Sequence, residues 1–230
     1  MTLMVLITCV LGISGVLLFG LTALYRSPFG DAHHIREAKN HGLSRARYWR
    51  NAGANAVMSV ALVYGMTWLL QPYLFHEGPV PAWRAVVEGV AILMAFDFFY
   101  YLVHRYPFHE WRGYMRKVHS VHHIVRNPTA VDSLYQHPVE DTLGLTLLWA
   151  CAALVRVVLG PVSIWAFGGV FLVYSMLNVV VHSGLDFRNS PLWLVSYLAT
   201  RHNKHHVDMN GRNYASVTPL WDHVFGTEEP

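Results

Sequence analysis

Charge is the first thing this sequence has little of. Only 13% of its 230 residues are Asp, Glu, Lys or Arg, against 53% hydrophobic. A soluble domain carries about 25% charged residues, and half of that leaves too little polar surface to keep a compact chain of this size in water. With a mean hydropathy of +0.29, the composition points to a membrane protein. Cysteine is scarce as well. Cys9 and Cys151 both lie inside apolar runs, with no neighbour at metal-ligand spacing, so there is no disulfide framework and they read as packed thiols. No basic stripe interleaved with aromatics accompanies the net charge of +3, which removes nucleic acid as a partner. Internal repeats and low-complexity tracts are also missing, leaving one domain over residues 1–230. Histidine is what the chain has in excess: 15, nearly as many as the 17 Lys and Arg together.

Four apolar runs divide the chain. Leu3 to Tyr25 has no charged residue and, at about 1.5 Å per residue, is long enough to cross a ~30 Å hydrocarbon core. A signal peptide is the competing reading. The absence of a positive segment before the run, and Arg26 after it, favour a retained span. Asn51 to Phe75 is again uncharged, whereas Ala85 to Val103 is interrupted by Glu88 and Asp97. Thr142 to Val181 is apolar except for Arg156 and is broken at Gly160-Pro161, as a helical hairpin would be. Arg26, Arg36, Lys39, Arg45, Arg47 and Arg50 separate the first two runs; Arg105, Arg112, Arg116, Lys117 and Arg126 follow the third; Arg188, Arg201, Lys204 and Arg212 follow the last. The link from His76 to Ala82 has neither Lys nor Arg, and Arg84 and Arg156 are minor exceptions to the alternation. Basic segments face the cytoplasm, so the pattern implies five crossings with an external N-terminus, or four if the hairpin only dips in. Either way segments 104–139 and 182–230 are cytoplasmic. The expected fold is all-α: a polytopic membrane protein with four or five transmembrane or re-entrant helices under a cytoplasmic helical cap.

The histidines cluster in those same two segments: His104-x4-His109, His119-x2-His122-His123, His182, and His202-x2-His205-His206. On a helix, residues at i, i+3 and i+4 share a face, so each triplet projects its imidazoles together. A five-residue step on a continuous α-helix would turn His104 and His109 apart; Pro107 is expected to end the helix between them and let both reach one site. Nine imidazoles exceed the needs of one metal and suit two ions with four or five nitrogens each. Imidazole suits Fe, Zn, Cu and Ni alike. His33, His34, His41, His76 and His223 are isolated and read as satisfied or solvent-facing side chains.

With these boxes in order, the chain resembles the fatty acid hydroxylase/sterol desaturase superfamily of integral membrane oxygenases. The resemblance runs from Asp97 to Thr227. Asp97-Phe-Phe-Tyr-Tyr-Leu-Val-His-Arg resembles the family's first box, Lys117-Val-His-Ser-Val-His-His the second, and Gln136-His-Pro-Val-Glu its His-Pro-aliphatic-Glu stretch. His202-Asn-Lys-His-His, then Asn213-Tyr214, Trp221-Asp222 and Phe225-Gly226-Thr227, resembles the closing signature. Two departures stand out. Some members carry a further histidine four residues before the one matching His182, where this chain has Asn178, and the usual Tyr-Gly is Tyr214-Ala215. The resemblance implies a membrane anchor over 1–96 and a catalytic region over 97–227. It also implies two Fe ions (Zn as isolated being a variant), O2, a lipid substrate and electrons from a separate reductase or small carrier, no flavin or nicotinamide fingerprint being visible. The implied ligands are His104, His109, His119, His122, His123, His182, His202, His205 and His206. A bacterial inner membrane is favoured over the endoplasmic reticulum, which satisfies the same physics.

Asp97, Tyr101 and His104 fall at i, i+4 and i+7 on one helix face. A carboxylate within a span is costly and is a functional hypothesis by default; Asp97 is expected to orient a ligating histidine, the alternative being hydration or a pair with Arg105. His137 and Glu140 are candidates for the same supporting role, His137 also for a tenth ligand. Asn178 is a candidate weak ligand or hydrogen-bond partner to one. Trp221 and Phe225 are read as packing a C-terminal lid, and Pro191 to Ala199 as an interfacial segment. Two other classes compete. A zinc hydrolase needs H-E-x-x-H, which His109-Glu110 does not continue, and a metal transporter should hold its ligands at mid-span rather than at span ends.

Overall fold

The computed structural model describes residues 2–36 and 42–229; Lys39 and His41 lie outside the described residues. Five helices are long and apolar enough to cross a membrane: α1 (Leu3–Tyr25), α3 (Arg45–Leu74), α4 (Ala82–Val103, continuing to Glu110), α6 (Pro138–Leu159) and α7 (Ile164–Val181). Short helices complete the chain: α2 (Pro28–Asp31), α5 (Tyr114–Ser120), α8 (Trp193–Val207) and α9 (Leu220–Val224). Only 22% of the most apolar stretch of α1, and 17% of that of α3, is buried within the protein. Val16, Trp68 and Val157 are each at least three-quarters exposed, a surface that only lipid covers without cost.

The helix ends follow local chemistry. Ser44 caps α3 by accepting from the amide of Arg47 at 3.3 Å, so the helix starts six residues before the apolar run and carries Arg45, Arg47 and Arg50 out of it. Gly160 ends α6 with φ +86, a conformation only glycine adopts freely; the expected break is there. The two helices it separates do not form a tight hairpin. Each packs on α4, with α1 flanking α7 and α3 flanking α6.

At the end far from the histidines the connections are stapled together. Phe75 and His76 (β1) pair in parallel with Val162 and Ser163 (β2). Glu88, 1% exposed, accepts from the Ser163 amide at 2.8 Å and from Arg84 Nε at 2.7 Å, while Arg84 Nη2 donates to the Pro161 carbonyl at 3.1 Å. The α6–α7 turn therefore reaches the same level as the α3–α4 turn, as a full crossing requires.

One expectation fails here. The third helix does not end at Pro107: it continues as a π-helix over His104–Glu110, with Pro107 inside it. Proline lacks the N–H that an α-turn would use and clashes with the carbonyl four residues back. A wider i→i+5 turn accommodates both faults, and π-turns concentrate at functional sites. The five-residue step from His104 to His109 is thus one turn of this helix.

Candidate metal centre

The nine clustered histidines meet at the other end of the bundle. His104 and His109 come from the π-helix, His119 from the last turn of α5, and His122 and His123 from a 3-10 turn over His122–Ile124. His182 caps the C-terminus of α7, and His202, His205 and His206 lie on α8. The two H-x2-H-H triplets do not serve one metal each. His104, His109, His119 and His205 bring one nitrogen apiece within 4.8 Å of one another, and so do His122, His182, His202 and His206. His123 joins the first group, its Nε2 lying 3.0 Å from His119 Nε2 and 3.1 Å from His205 Nε2. Each triplet is split between the groups. The split is the same in both: the i and i+4 residues, His119 with His123 and His202 with His206, stay together, and the i+3 residue, His122 or His205, goes to the other group.

Seven of the nine outer nitrogens are held by acceptors. Nδ1 of His104, His109, His205 and His206 donates to the carbonyls of Tyr214, Met209, Arg212 and Val125 at 2.7–2.9 Å. Nδ1 of His182 donates to the Asn178 carbonyl at 2.6 Å and that of His122 to the Tyr135 carbonyl at 3.3 Å. His119 Nδ1 donates to Glu140 Oε1 at 2.8 Å. A carbonyl only accepts, so the proton sits on Nδ1 and the Nε2 lone pair points inward.

Whether these residues fit a metal follows from what faces what. His104 Nε2 lies 3.1 Å from His119 Nε2, and His182 Nε2 lies 3.2 Å from His122 Nε2 and 2.9 Å from His202 Nε2. Lone pairs that close repel unless a cation lies between them. At metal–nitrogen distances of about 2.1 Å, donors at right angles are about 3.0 Å apart. His109 Nε2 is buried and has no partner among the described residues. Burial holds His122 at about 4 and His182 at about 3, so both are neutral at pH 7, the form in which an imidazole can ligate. The donor set fits two cations.

Glu140, 4% exposed, is the carboxylate that touches a clustered histidine. It stands in the first turn of α6, which begins with Pro138 at its first position and is capped by His137. His137 spends its Nδ1 accepting from the Val139 amide at 3.1 Å; its place is a helix cap rather than a contact with the cluster. Asp97 also differs from expectation. It is fully buried, and its oxygens accept from the Val217 amide at 2.9 Å and from the Thr218 amide and hydroxyl at 3.4 and 2.7 Å. Deep in α4, it lies seven residues before His104, within reach of the returning C-terminal segment, so it fastens that segment over the site. Arg105 pairs instead with Glu110 at 2.7 Å and donates to the Tyr101 hydroxyl at 3.0 Å. The Tyr101 hydroxyl also meets Thr227 Oγ1 at 3.0 Å, and its ring stacks on Phe225 at 5.2 Å. Trp221 packs on Phe98 at 4.7 Å.

The closing signature is a knot around Asp222, which is fully buried. It accepts from the amides of Tyr214 and Ala215, from Thr227 Oγ1 and from Arg201. Asn213, with φ 64, makes the turn that aims the Tyr214 carbonyl at His104; asparagine tolerates this region better than most residues. His33, His34, His76 and His223 lie outside both groups. His33 and His34 bond to the Phe29 and Tyr25 carbonyls, and His223 faces Glu228.

A cavity of about 70 Å³ opens on both groups, lined by His104, His119, His122, His182 and His202. Its remaining wall includes Tyr100, Gly144, Tyr174 and Asn178. The first three went unnoticed in the sequence, although each lies one helical turn deeper than a residue at the site: Tyr100 before His104, Gly144 after Glu140, Tyr174 before Asn178. Of Asn178 itself, the carbonyl holds His182 and the side chain stands at the rim.

Comparison with known proteins agrees with this geometry. The chain is 32% identical over 165 residues to methylsterol monooxygenase 1 of Gallus gallus (68% of this chain, 51% of the relative). It is 33% identical over 158 residues to the protein of that name from Rattus norvegicus (65% and 49%). A very-long-chain aldehyde decarbonylase of Oryza sativa subsp. indica is 29% identical over 158 residues (63% and 59%). The chain spans about half the length of these curated relatives, and no solved structure matches it. The fatty acid hydroxylase family matches residues 89–227, which include all nine clustered histidines, Glu140 and the Asp222 knot; the chain belongs to that family.

Proposed function

We propose that the chain is an O2-dependent lipid hydroxylase or desaturase whose nine clustered histidines hold two iron ions at the cytoplasmic face of a membrane, a bacterial inner membrane by preference. The observation that carries this reading is the pair of histidine groups opening together on one cavity between membrane-spanning helices. His104, His109, His119, His123 and His205 would hold one ion, and His122, His182, His202 and His206 the other. Bound there, the irons would supply O2 reduction and removal of hydrogen from an unactivated C–H bond. The relatives named for a methylsterol and for very-long-chain aldehydes support a lipid substrate.

The chain's own residues prepare the site. Carbonyl acceptors and Glu140 keep the protons on Nδ1 of seven of the nine rings, so those seven need not reorient to ligate. Asp97 and Asp222 fasten residues 214–218 across the cavity mouth, and a closed site protects a reactive oxidant from water. Leu177, Val181 and Val217 supply the apolar part of the wall. Electrons from a separate reductase or small carrier would enter at the opposite, solvent-facing opening. There Arg112 and Arg116 flank His109, whose Nδ1 is bonded to the Met209 carbonyl.

The test is metal content of the detergent-purified protein beside His122→Ala/His205→Ala, which removes one ligand from each group. About two irons per chain in the wild type, lost in the variant, is the expected result. No stoichiometric metal in either protein, even after iron reconstitution, would overturn the reading.

A further inference from the structure

A second concave site lies between the ends of α3 and α6, on the histidine side of the bundle. It is a groove of about 320 Å³ whose lining includes Arg47, Arg50, Asn51, Ala54, Tyr135 and His137. It shares no residue with the cavity beside the histidines. The groove is cationic. The guanidinium groups of Arg47 and Arg50 have no hydrogen bond, ion pair or aromatic partner among the described residues. His137 accepts from the Val139 amide at Nδ1, so its proton is on Nε2, and that N–H is a further donor. Asn51 spends its amide inward, on the Gln136 carbonyl at 3.1 Å. No Asp or Glu lines the groove, so nothing within it neutralises the two arginines.

A concave site with two spare guanidiniums selects an anion, and the planar fork of arginine matches phosphate. The surroundings decide which phosphate. Arg47 and Arg50 precede the uncharged run that starts at Asn51, which places them at the edge of the hydrocarbon. Trp49, 47% exposed between them, is of the residue type that settles at that boundary. Arg50, Ala54 and Val57 follow at i, i+4 and i+7 on one face of α3, and Val57 is 72% exposed. Cations above bare apolar surface fit a phosphate that carries acyl chains, not a free ion. A zwitterionic headgroup would bring an ammonium for which the groove holds no carboxylate. Basic pockets between membrane helices are a setting in which anionic headgroups bind.

We propose that this groove binds an anionic phospholipid, its headgroup phosphate held by Arg47 and Arg50 together with the Nε2–H of His137. The site goes beyond the oxygenase reading and is tested without it. It adjoins the metal centre through the chain: Val121 in its wall precedes His122, and the Tyr135 carbonyl accepts from His122 Nδ1 at 3.3 Å. A bound headgroup thus rests on the segments that hold His122.

The experiment is equilibrium binding of radiolabelled dioleoyl-phosphatidylglycerol and dioleoyl-phosphatidylcholine to the purified chain in neutral detergent, with metal content measured on the same samples. The anionic lipid should bind roughly tenfold or more tightly, the scale that two basic residues supply at a membrane surface. Arg47→Gln/Arg50→Gln should erase that preference while phosphatidylcholine binding and metal content stay unchanged. Arg45→Gln/Arg126→Gln removes the same charge from exposed positions outside the groove and should leave the preference in place. Inorganic phosphate should displace the lipid no better than sodium chloride of equal ionic strength. Equal binding of the two lipids, a preference that survives the groove variant, equal loss in both variants, or specific displacement by inorganic phosphate would each overturn the proposal. A groove-dependent preference in a protein that takes up no iron would leave the headgroup site standing and remove the oxygenase. Full iron loading with no preference would do the reverse.

Discussion

The two histidine groups are built from the same residue type but are not equivalent. The first has four histidines supplemented by His123 and a carboxylate, Glu140, on the outer nitrogen of His119. Most of its remaining outer contacts are carbonyls of the C-terminal segment, from Met209 to Tyr214. The second has four, and the acceptors on His122, His182 and His206 are the neutral carbonyls of Tyr135, Asn178 and Val125. A carboxylate behind a ligating imidazole raises its basicity, so one cation would sit in a richer field than the other. Where some members of the family carry a further histidine, four residues before His182, this chain holds Asn178. Sequence symmetry between the two H-x2-H-H triplets therefore hides an asymmetry of sites.

The strongest way to break this comparison is to remove one ligand from a single group. His205→Ala should lose the first cation and His206→Ala the second, each abolishing activity while leaving about one metal per chain; loss of both metals from either variant would show that the groups act as one. Glu140→Gln should weaken metal retention and turnover by about 10–100-fold, the usual cost of removing such a partner, and chelator titration would show the loss confined to the first group. Acid should act on both groups alike, since burial lowers the imidazoles of each, His205 as well as His206. Burial holds His122 at about 4 and His182 at about 3, below the ordinary imidazole value of about 6.5. The unfolded chain thus takes up these protons first. Stability of the metal-free protein is intact above that ordinary value and falls as pH drops from about 6.5 toward 4, which thermal unfolding across that window would record. The mildest change sharpens the contrast: Asn178→His should raise metal retention by the second group, by less than Glu140→Gln lowers it in the first.

Much of this was legible in the primary structure because spacing and composition survive without coordinates. Uncharged runs marked the spans, Gly160-Pro161 marked a turn, and the nine clustered histidines could be picked from the fifteen by their neighbours. What escaped depended on where a polar side chain finds its partner. Asp97 was expected to serve a histidine, but its partners Val217 and Thr218 lie some 120 residues away, and no periodicity reports that. The orienting carboxylate was Glu140, one of two candidates in the Gln136-His-Pro-Val-Glu stretch, and the other, His137, turned out to cap the helix. Pro107 misled because the rule that proline ends an α-helix has a second solution, a wider turn. The cavity wall left a fainter trace: tyrosines and a glycine one turn below site residues look like ordinary packing until the gap between α6 and α7 is seen.

The staple between the α3–α4 and α6–α7 turns bears on how the molecule is made. Membrane helices insert first and associate afterwards, and β1 cannot meet β2 until the ribosome has delivered α6 and the turn beyond it. The helices closed by that pairing carry Glu140 on one side and His182 on the other. Registration at one surface of the bilayer needs nothing beyond β2, whereas the histidine groups at the opposite surface wait for His202, His205 and His206 on α8, the last of their members to emerge.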